Sequence, residues 1–407
     1  MTSRQIIKRV ITCQGTIQLV TALSVLSYQE KEQQHLSCEY ENYLVIYDLY
    51  APLEQTDAFV ALIQKMATFV CTWKAIVHIT PQQIQEIKEK LDCTGCIEIF
   101  RLVHSLVGVE SADEIYLCRN WQFGNQLLIN AYQTARKICY GDSIGIYFSQ
   151  NATAIFGAAQ PSKTPKILRD IKWSVISIIN NIQHNLRIKT ILKYVNFDVG
   201  YFVLPNVMGE SPPMKTIVVG KEALLETFQK LRGLVETEYI AFLQAKIADA
   251  PISILLTSNF SEADRMPVDI EISAYRQFLT SKEIEPNSIL VIKPHPRDNE
   301  AKIGQLQYEL ADLYKEVITL SKPSLFFLPF EVLFMEAFLK PDLTPINPIQ
   351  VFAVSSACLS LSLLFNVPSI IGFGEQVTSN AFYENYVHGR LQHERDLEAA
   401  IRAVISH

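Results

Sequence analysis

No run of lysine and arginine marks this sequence, and its 407 residues carry a net charge of −6. The basic stripe that holds a nucleic-acid backbone is therefore missing, and nucleic acid is not an expected partner. An unbroken apolar stretch of bilayer length is missing too. The most apolar window, 351–373, is interrupted by Ser355, Ser356, Ser360, Ser362, Asn366 and Pro368. It reads as a buried helix followed by a strand. Residues 1–9 lead straight into a strand without a long apolar core, so no secretory leader is expected. These absences suggest a cytoplasmic chain, with peripheral association at the inner face of a membrane left open.

Metal-binding patterns are also scarce. There is no Asp-x-Asp pair and no His/Asp cluster with ligand spacing, so no metal is expected. Of the eight cysteines, Cys93-Thr-Gly-Cys96 has the spacing of half a zinc knuckle or a redox pair. It lacks a second half, and a structural turn is the expected role. Cys118 and Cys139 fall in apolar strand-like runs and read as buried thiols of a reducing compartment.

What is present is a well-packed globular chain. Hydrophobic residues make up 49% and charged residues 19%, a balance that excludes disorder. The length exceeds one ordinary core, so two domains are expected. The pattern alternates β-rich runs with helical ones. Strands are expected at 9–13, 43–47, 75–79, 114–118 and 136–140, with helices at 17–28, 57–68, 81–91 and 125–134. The same grammar returns with strands at 252–257, 288–293, 316–320, 348–354 and 368–372. Such alternation implies parallel sheets with right-handed crossovers. The reading is α/β, two Rossmann-like domains with parallel sheets facing across a cleft. The domains are placed at 1–215, the acceptor side with a candidate base, and 216–407, the donor side. Gly and Pro residues at 206–213 suggest the connection. Ligands are expected beyond the carboxyl ends of the strands.

Five segments there carry chemistry. Lys293-Pro294-His295-Pro296 follows a strand, and its two prolines stiffen the backbone. A fixed lysine and imidazole can neutralise a phosphate and supply a proton to it. Ser355 and Ser356 precede a helix at 357–365, whose N-terminus offers free N–H groups and a positive dipole end. Asp142 lies in Tyr140-Gly-Asp-Ser-Ile-Gly145 among small and apolar neighbours, where desolvation can make a carboxylate a base. Glu331, in the first turn of a helix to 338, can favour the dipole or accept from ribose hydroxyls. Gln14, Gly15 and Thr16 follow the first strand, where a glycine lets a sugar approach the backbone. The histidines other than His295 are scattered and read as surface or satisfied core residues.

Together these residues resemble the bacterial sialyltransferases and polysialyltransferases of the two-domain GT-B type. Those families share an acidic motif, an HP motif and a serine motif. Here they stand in the same order as Gly141-Asp142-Ser143, His295-Pro296 and Ser355-Ser356. The acidic motif departs from the family pattern, because Gly141 replaces its first acid and Ser143 its glycine. The resemblance implies an inverting transfer from a CMP-linked sugar donor to a glycan acceptor, with no further cofactor. It implies that Asp142 is the general base and that His295 contacts the donor phosphate. Lys293 and Pro296 would lie near the nucleotide, Ser355 and Ser356 on the phosphate, and Glu331 on the ribose. Other readings of the same fold are a CDP-polyol phosphotransferase, a sugar-nucleotide epimerase, or a nucleotide-sugar-binding protein without catalysis.

Overall fold

The computed structural model describes residues 5–33, 38–49, 53–147, 189–206 and 211–405. The first half contains β1 (Gln5–Cys13), α1 (Thr16–Glu32), β2 (Cys38–Ile46), α2 (Thr56–Val70), β3 (Ala75–His78), α3 (Pro81–Lys90) and α4 (Cys96–Val107). It continues with β4 (Glu114–Leu117), α5 (Phe123–Ala131), β5 (Arg136–Cys139), β6 (Val199–Phe202) and β7 (Lys215–Val218). Two helices follow, α6 (Lys221–Leu231) and α7 (Thr237–Ile247). The second half is β8 (Ile252–Leu256), α8 (Val268–Thr280), β9 (Ile289–Lys293), α9 (Glu300–Leu310), β10 (Glu316–Thr319), α10 (Pro323–Phe326) and α11 (Phe330–Ala337). It ends with β11 (Ile349–Ala353), α12 (Ala357–Phe365), β12 (Ser369–Ile371), α13 (Gly374–Ala381) and α14 (Glu384–Ile405).

Two parallel sheets result. The first has seven strands in the order β3-β2-β1-β4-β5-β6-β7, and the second has five in the order β10-β9-β8-β11-β12. Both orders reverse direction once, between β1 and β4 and between β8 and β11. These are two Rossmann-like domains with the GT-B-like arrangement. Strands such as β9, Ile-Leu-Val-Ile, are buried on both faces by helices, which explains their unbroken apolar runs.

The expected strands all occur, each trimmed by a residue or two at an end or, like β1 and β2, extended. Two features differ from the sequence reading. Lys215–Val218 pairs with β6, so the first sheet reaches past the expected boundary at 215/216 and the divide falls after β7. Within the expected connection, residues 207–210 lie outside the described residues. The short strands β6 and β7, and helices α4, α6, α7, α9, α10, α13 and α14, were not anticipated. β6 is four residues with a glycine, a pattern too short to stand out.

The halves are packed together. Residues of α1 from Leu19 to Leu26 are buried without interruption, because α1 faces its own sheet on one side and α6 on the other. Ser24 Oγ in α1 donates to Thr227 Oγ1 in α6 at 2.8 Å. A single apolar cluster contains Ile11 and Ile138 of the first sheet and Ile254 and Val351 of the second. The Phe59 and Phe327 rings stack across the divide with centroids 4.5 Å apart.

Candidate functional site

Both sheets direct their carboxyl ends at one cavity of about 540 Å³. Its lining comes from the loops after β1, β4, β5, β8, β9 and β11, together with residues 327–331 and one face of α14. The loops that follow β1 and β4, and β8 and β11, are those at which strand order reverses. Crevices form there because neighbouring crossovers leave on opposite faces of the sheet. Among the residues singled out from sequence, Gly15, Thr16, Asp142, Lys293, His295, Pro296, Glu331, Ser355 and Ser356 all reach this cavity.

Gln14 does not. Its side chain is fully buried, donating to Gln122 Oε1 at 2.6 Å and accepting from Cys118 Sγ at 3.4 Å. It braces the loop after β4 and is withdrawn from any acceptor. Thr16 lines the cavity, but its hydroxyl donates to the Phe327 carbonyl at 2.8 Å and ties the two halves together. Gly15 has extended backbone, φ 177°. A Cβ there would meet only Phe59 Cζ at 3.9 Å, so internal packing does not demand glycine at this position.

Asp142 sits at the tip of a tight loop. Its N–H donates to the Ile146 carbonyl at 2.9 Å, and Ile146 N–H returns the bond at 3.0 Å. The loop needs positive φ at Gly141 (79°), Ser143 (51°) and Gly145 (77°). A Cβ at Gly141 would lie 2.8 Å from the Ile146 carbonyl oxygen. That contact explains why the first acid of the motif is glycine here: the loop closes on itself where a side chain would stand. The isolated, desolvated carboxylate expected from sequence is not found. Asp142 is 27% exposed and pairs with Arg119 Nη2 through Oδ2 at 3.2 Å. Its Oδ1 accepts from Gln18 Nε2 at 2.8 Å and from Ser143 N–H at 3.0 Å. Those three donors fix the carboxylate and leave one lone-pair direction on Oδ2.

His295 is held just as firmly. Its N–H is shared between Thr257 Oγ1 and Asp298 Oδ2, each at 2.8 Å. The Arg297 N–H donates to His295 Nδ1 at 3.1 Å. A ring nitrogen that accepts carries no proton, so the neutral ring bears its proton on Nε2. Burial lowers the imidazole pKa to about 3, aided by Arg297, Lys302 and Lys293. His295 is therefore neutral near pH 7, a hydrogen-bond donor rather than the cation its sequence setting suggested. Behind it, Thr257 donates to Asp298 Oδ2 at 2.7 Å. Lys302 Nζ meets Asp298 at 2.9 Å, Glu271 at 2.7 Å and Glu262 at 2.9 Å. This buried ionic cluster fastens the loops after β8 and β9 to each other.

Lys293 Nζ donates to the Phe326 carbonyl at 2.6 Å. Burial lowers its pKa to about 8, opposed by Asp298 and Glu331. Glu331 is only 5% exposed and accepts from the Ser360 hydroxyl. Burial raises its carboxyl pKa, opposed by Ser360 and Lys293. Ser356 occupies the N-cap position of α12 without a side-chain cap bond. Both Ser355 and Ser356 line the cavity.

Gln18, Arg265 and His393, missed from sequence, also line the cavity, as do Arg119 and Arg297. His393 had been grouped with the scattered histidines. It arrives on α14, and burial with Arg390 and Arg265 lowers its pKa to about 3. His104 is elsewhere, its Nε2 2.9 Å from the Ala131 carbonyl. Cys93 and Cys96 flank a turn leading into α4, and all eight cysteines are free. Burial pushes the Cys13 thiol up to about 12 and Cys118 to about 11, which makes both inert.

An acid-bearing loop in one half, an HP loop and a serine pair in the other, and one cavity between them form a pattern that extends along the chain. The family described as Alpha-2,8-polysialyltransferase (POLYST) matches residues 9–371. The chain belongs to this family. As a polysialyltransferase-family member it is a glycosyltransferase that uses a sugar-nucleotide donor and a glycan acceptor. No curated protein matches the sequence. Among solved structures, a putative UDP-N-acetylglucosamine 2-epimerase from Listeria monocytogenes is similar, with a TM-score of 0.48 and 13% identity. That alignment covers 99% of this chain and 92% of the other. The S. aureus MnaA-UDP structure gives 0.48 at 11% identity, covering 99% and 91%. The UDP-GlcNAc 2-epimerase of Neisseria meningitidis gives 0.46 at 12% identity, covering 99% of each. In this polysialyltransferase-family chain, no helix among the described residues is long and apolar enough to cross a membrane.

Proposed function

We propose that the cavity binds a CMP-linked sugar and transfers that sugar, with inversion, to a glycan hydroxyl. The observation that carries this reading is that Asp142 and the His295–Ser355–Ser356 set line one cavity from opposite domains. Asp142 takes the proton of the acceptor hydroxyl. The acceptor oxygen bonds to the anomeric carbon as the bond to the phosphate oxygen breaks, and CMP leaves with the electron pair. His295 donates its Nε2–H to the leaving phosphate. The Ser355 and Ser356 hydroxyls and the N–H groups at the start of α12 share that charge. Lys293 supplies a nearby positive charge, and Glu331 accepts from the ribose. These groups offset the leaving-group charge by hydrogen bonds and fixed dipoles, so the reaction is expected to proceed in EDTA. The phosphotransferase reading would call for a second histidine on a first-domain loop. His393 shares a domain with His295 and does not meet that need.

The test is CMP release from CMP-sialic acid with and without a glycan acceptor, for the native chain and Asp142→Asn. Loss of transfer by about 100-fold or more, at the low end of general base catalysis, with CMP binding retained, supports the assignment. Asp142→Asn with native transfer overturns it. If CMP-sialic acid is neither bound nor turned over, the donor assignment fails.

A further inference from the structure

The loop after β4 reaches the cavity beside Asp142 through Arg119. Arg119 lines the cavity and contacts Asp142 at 3.2 Å. The same guanidinium lies 5.3 Å from the centroid of the Trp121 ring. Trp121 is 42% exposed. A second large aromatic, Tyr194, is 54% exposed and reaches the same loop from 74 residues away. Its hydroxyl donates to Asn120 Oδ1 at 3.2 Å, and Asn120 Nδ2 donates to the Val195 carbonyl at 3.1 Å. The loop is braced from below, where buried Gln14 donates to Gln122 at 2.6 Å and Gln126 donates to the Asn120 carbonyl. Two exposed rings are thus brought to one rigid loop, beside an arginine in contact with Asp142.

Single exposed apolar residues need no explanation. Two from distant segments, brought to one buttressed loop whose Arg119 lines a cavity, do. A pyranose offers the matching chemistry. One face of the ring is a patch of C–H groups that can lie on an aromatic ring, while its hydroxyls stay in water. Trp and Tyr suit such half-wet contacts because they combine apolar area with a polar edge.

We propose that Trp121 and Tyr194 form an acceptor subsite that stacks on the sugars preceding the reacting residue, with Arg119 beside the sugar placed at Asp142. This rests on the reading of Asp142 as the base. A glycan is favoured over a nucleotide base because the phosphate-facing groups lie in the other domain. It is favoured over a protein partner because Trp121 lies against Arg119, which lines the cavity and contacts Asp142.

The experiment compares the native chain with Trp121→Ala, Tyr194→Ala, the double variant and Trp121→Phe. The acceptors are an α2,8-linked sialic acid tetramer and a methyl sialoside of one ring. For the tetramer, KM rises about tenfold or more in the double variant, while kcat at saturation stays within about threefold, the pattern of lost uniform binding. Trp121→Phe recovers most of the loss. KM for the one-ring acceptor, too short to reach the subsite, stays as in the native chain. Equal tetramer KM in the native chain and the double variant overturns the proposal. So does an equal rise for both acceptors, which signals a general distortion. Calorimetric binding of the tetramer without donor provides an arm independent of turnover. Weaker binding in the double variant supports the subsite even if CMP-sialic acid is the wrong donor, and equal or absent binding overturns it.

Discussion

His295 and Lys293 are separated by one proline, and their surroundings give them different charges. Each is desolvated, and desolvation disfavours the charged form of both. His295 starts nearer neutrality, so the push leaves it uncharged, with a pKa of about 3. Lys293 begins far higher and stays mostly charged at pH 7, with a pKa of about 8. Two outcomes follow. Donor binding does not weaken as pH rises through the ordinary histidine value, about 6.5. It weakens as pH rises through about 8, where the free chain loses the Lys293 ammonium. The sign is set by the anion, which favours the ammonium form, so affinity is full below that value and lost above it. Calorimetric titration of CMP across this range measures the effect, and in Lys293→Arg, which stays charged, the loss above pH 8 disappears. His295→Ala lowers kcat by about 100-fold or more without a large change in thermal midpoint. Native turnover in that variant would remove His295 from the mechanism. Reading the HP loop as rigid was possible from its prolines. Its tautomer was not, because that depends on the Arg297 N–H reaching Nδ1.

At the scale of elements, the acidic loop and the helix starts show where sequence reasoning stopped. A Gly-Asp-Ser run after a strand identifies a loop, and Asp142 was legible as its carboxylate. Arg119 and Gln18 were not, since they come from the β4 loop and α1 and meet Asp142 only in three dimensions. The loop's departure from the family motif now has a local cause. Gly141→Asp restores the acid but sets a side chain at φ 79° with its Cβ 2.8 Å from a carbonyl oxygen. A left-handed non-glycine residue costs about 1–2 kcal/mol before the clash is counted. Gly141→Asp therefore lowers stability in urea unfolding and reduces activity. A variant as stable as the native chain would show that the loop can open. Thr257 offers a subtler probe, because its hydroxyl joins the Asp298 carboxylate in receiving the His295 N–H. Thr257→Val lowers kcat with little change in acceptor KM, and Thr257→Ser, which keeps the hydroxyl, restores it. Similar losses in both variants would mean that the methyl group, not the hydrogen bond, matters.

For the whole molecule, the two sheets do not behave as separate bodies. One apolar cluster crosses the divide, Phe59 stacks on Phe327, and Thr16 donates to the Phe327 carbonyl. Each half would expose a large apolar face if the other unfolded. Calorimetry should therefore show one unfolding transition with matching calorimetric and van't Hoff enthalpies, although two-domain chains often show two. Two resolved transitions would refute this coupling. The sequence by itself determined the alternating elements, the parallel sheets and most of the cavity loops. Strand periodicity and the residues that end strands are local properties, carried by neighbours along the chain. Only the tertiary structure decided that Gln14 turns inward, that Thr16 ties the halves, and that Gln18 and His393 join the cavity. Those outcomes depend on which distant segments the packing of α1, α6 and α14 brings together, and no local pattern records that.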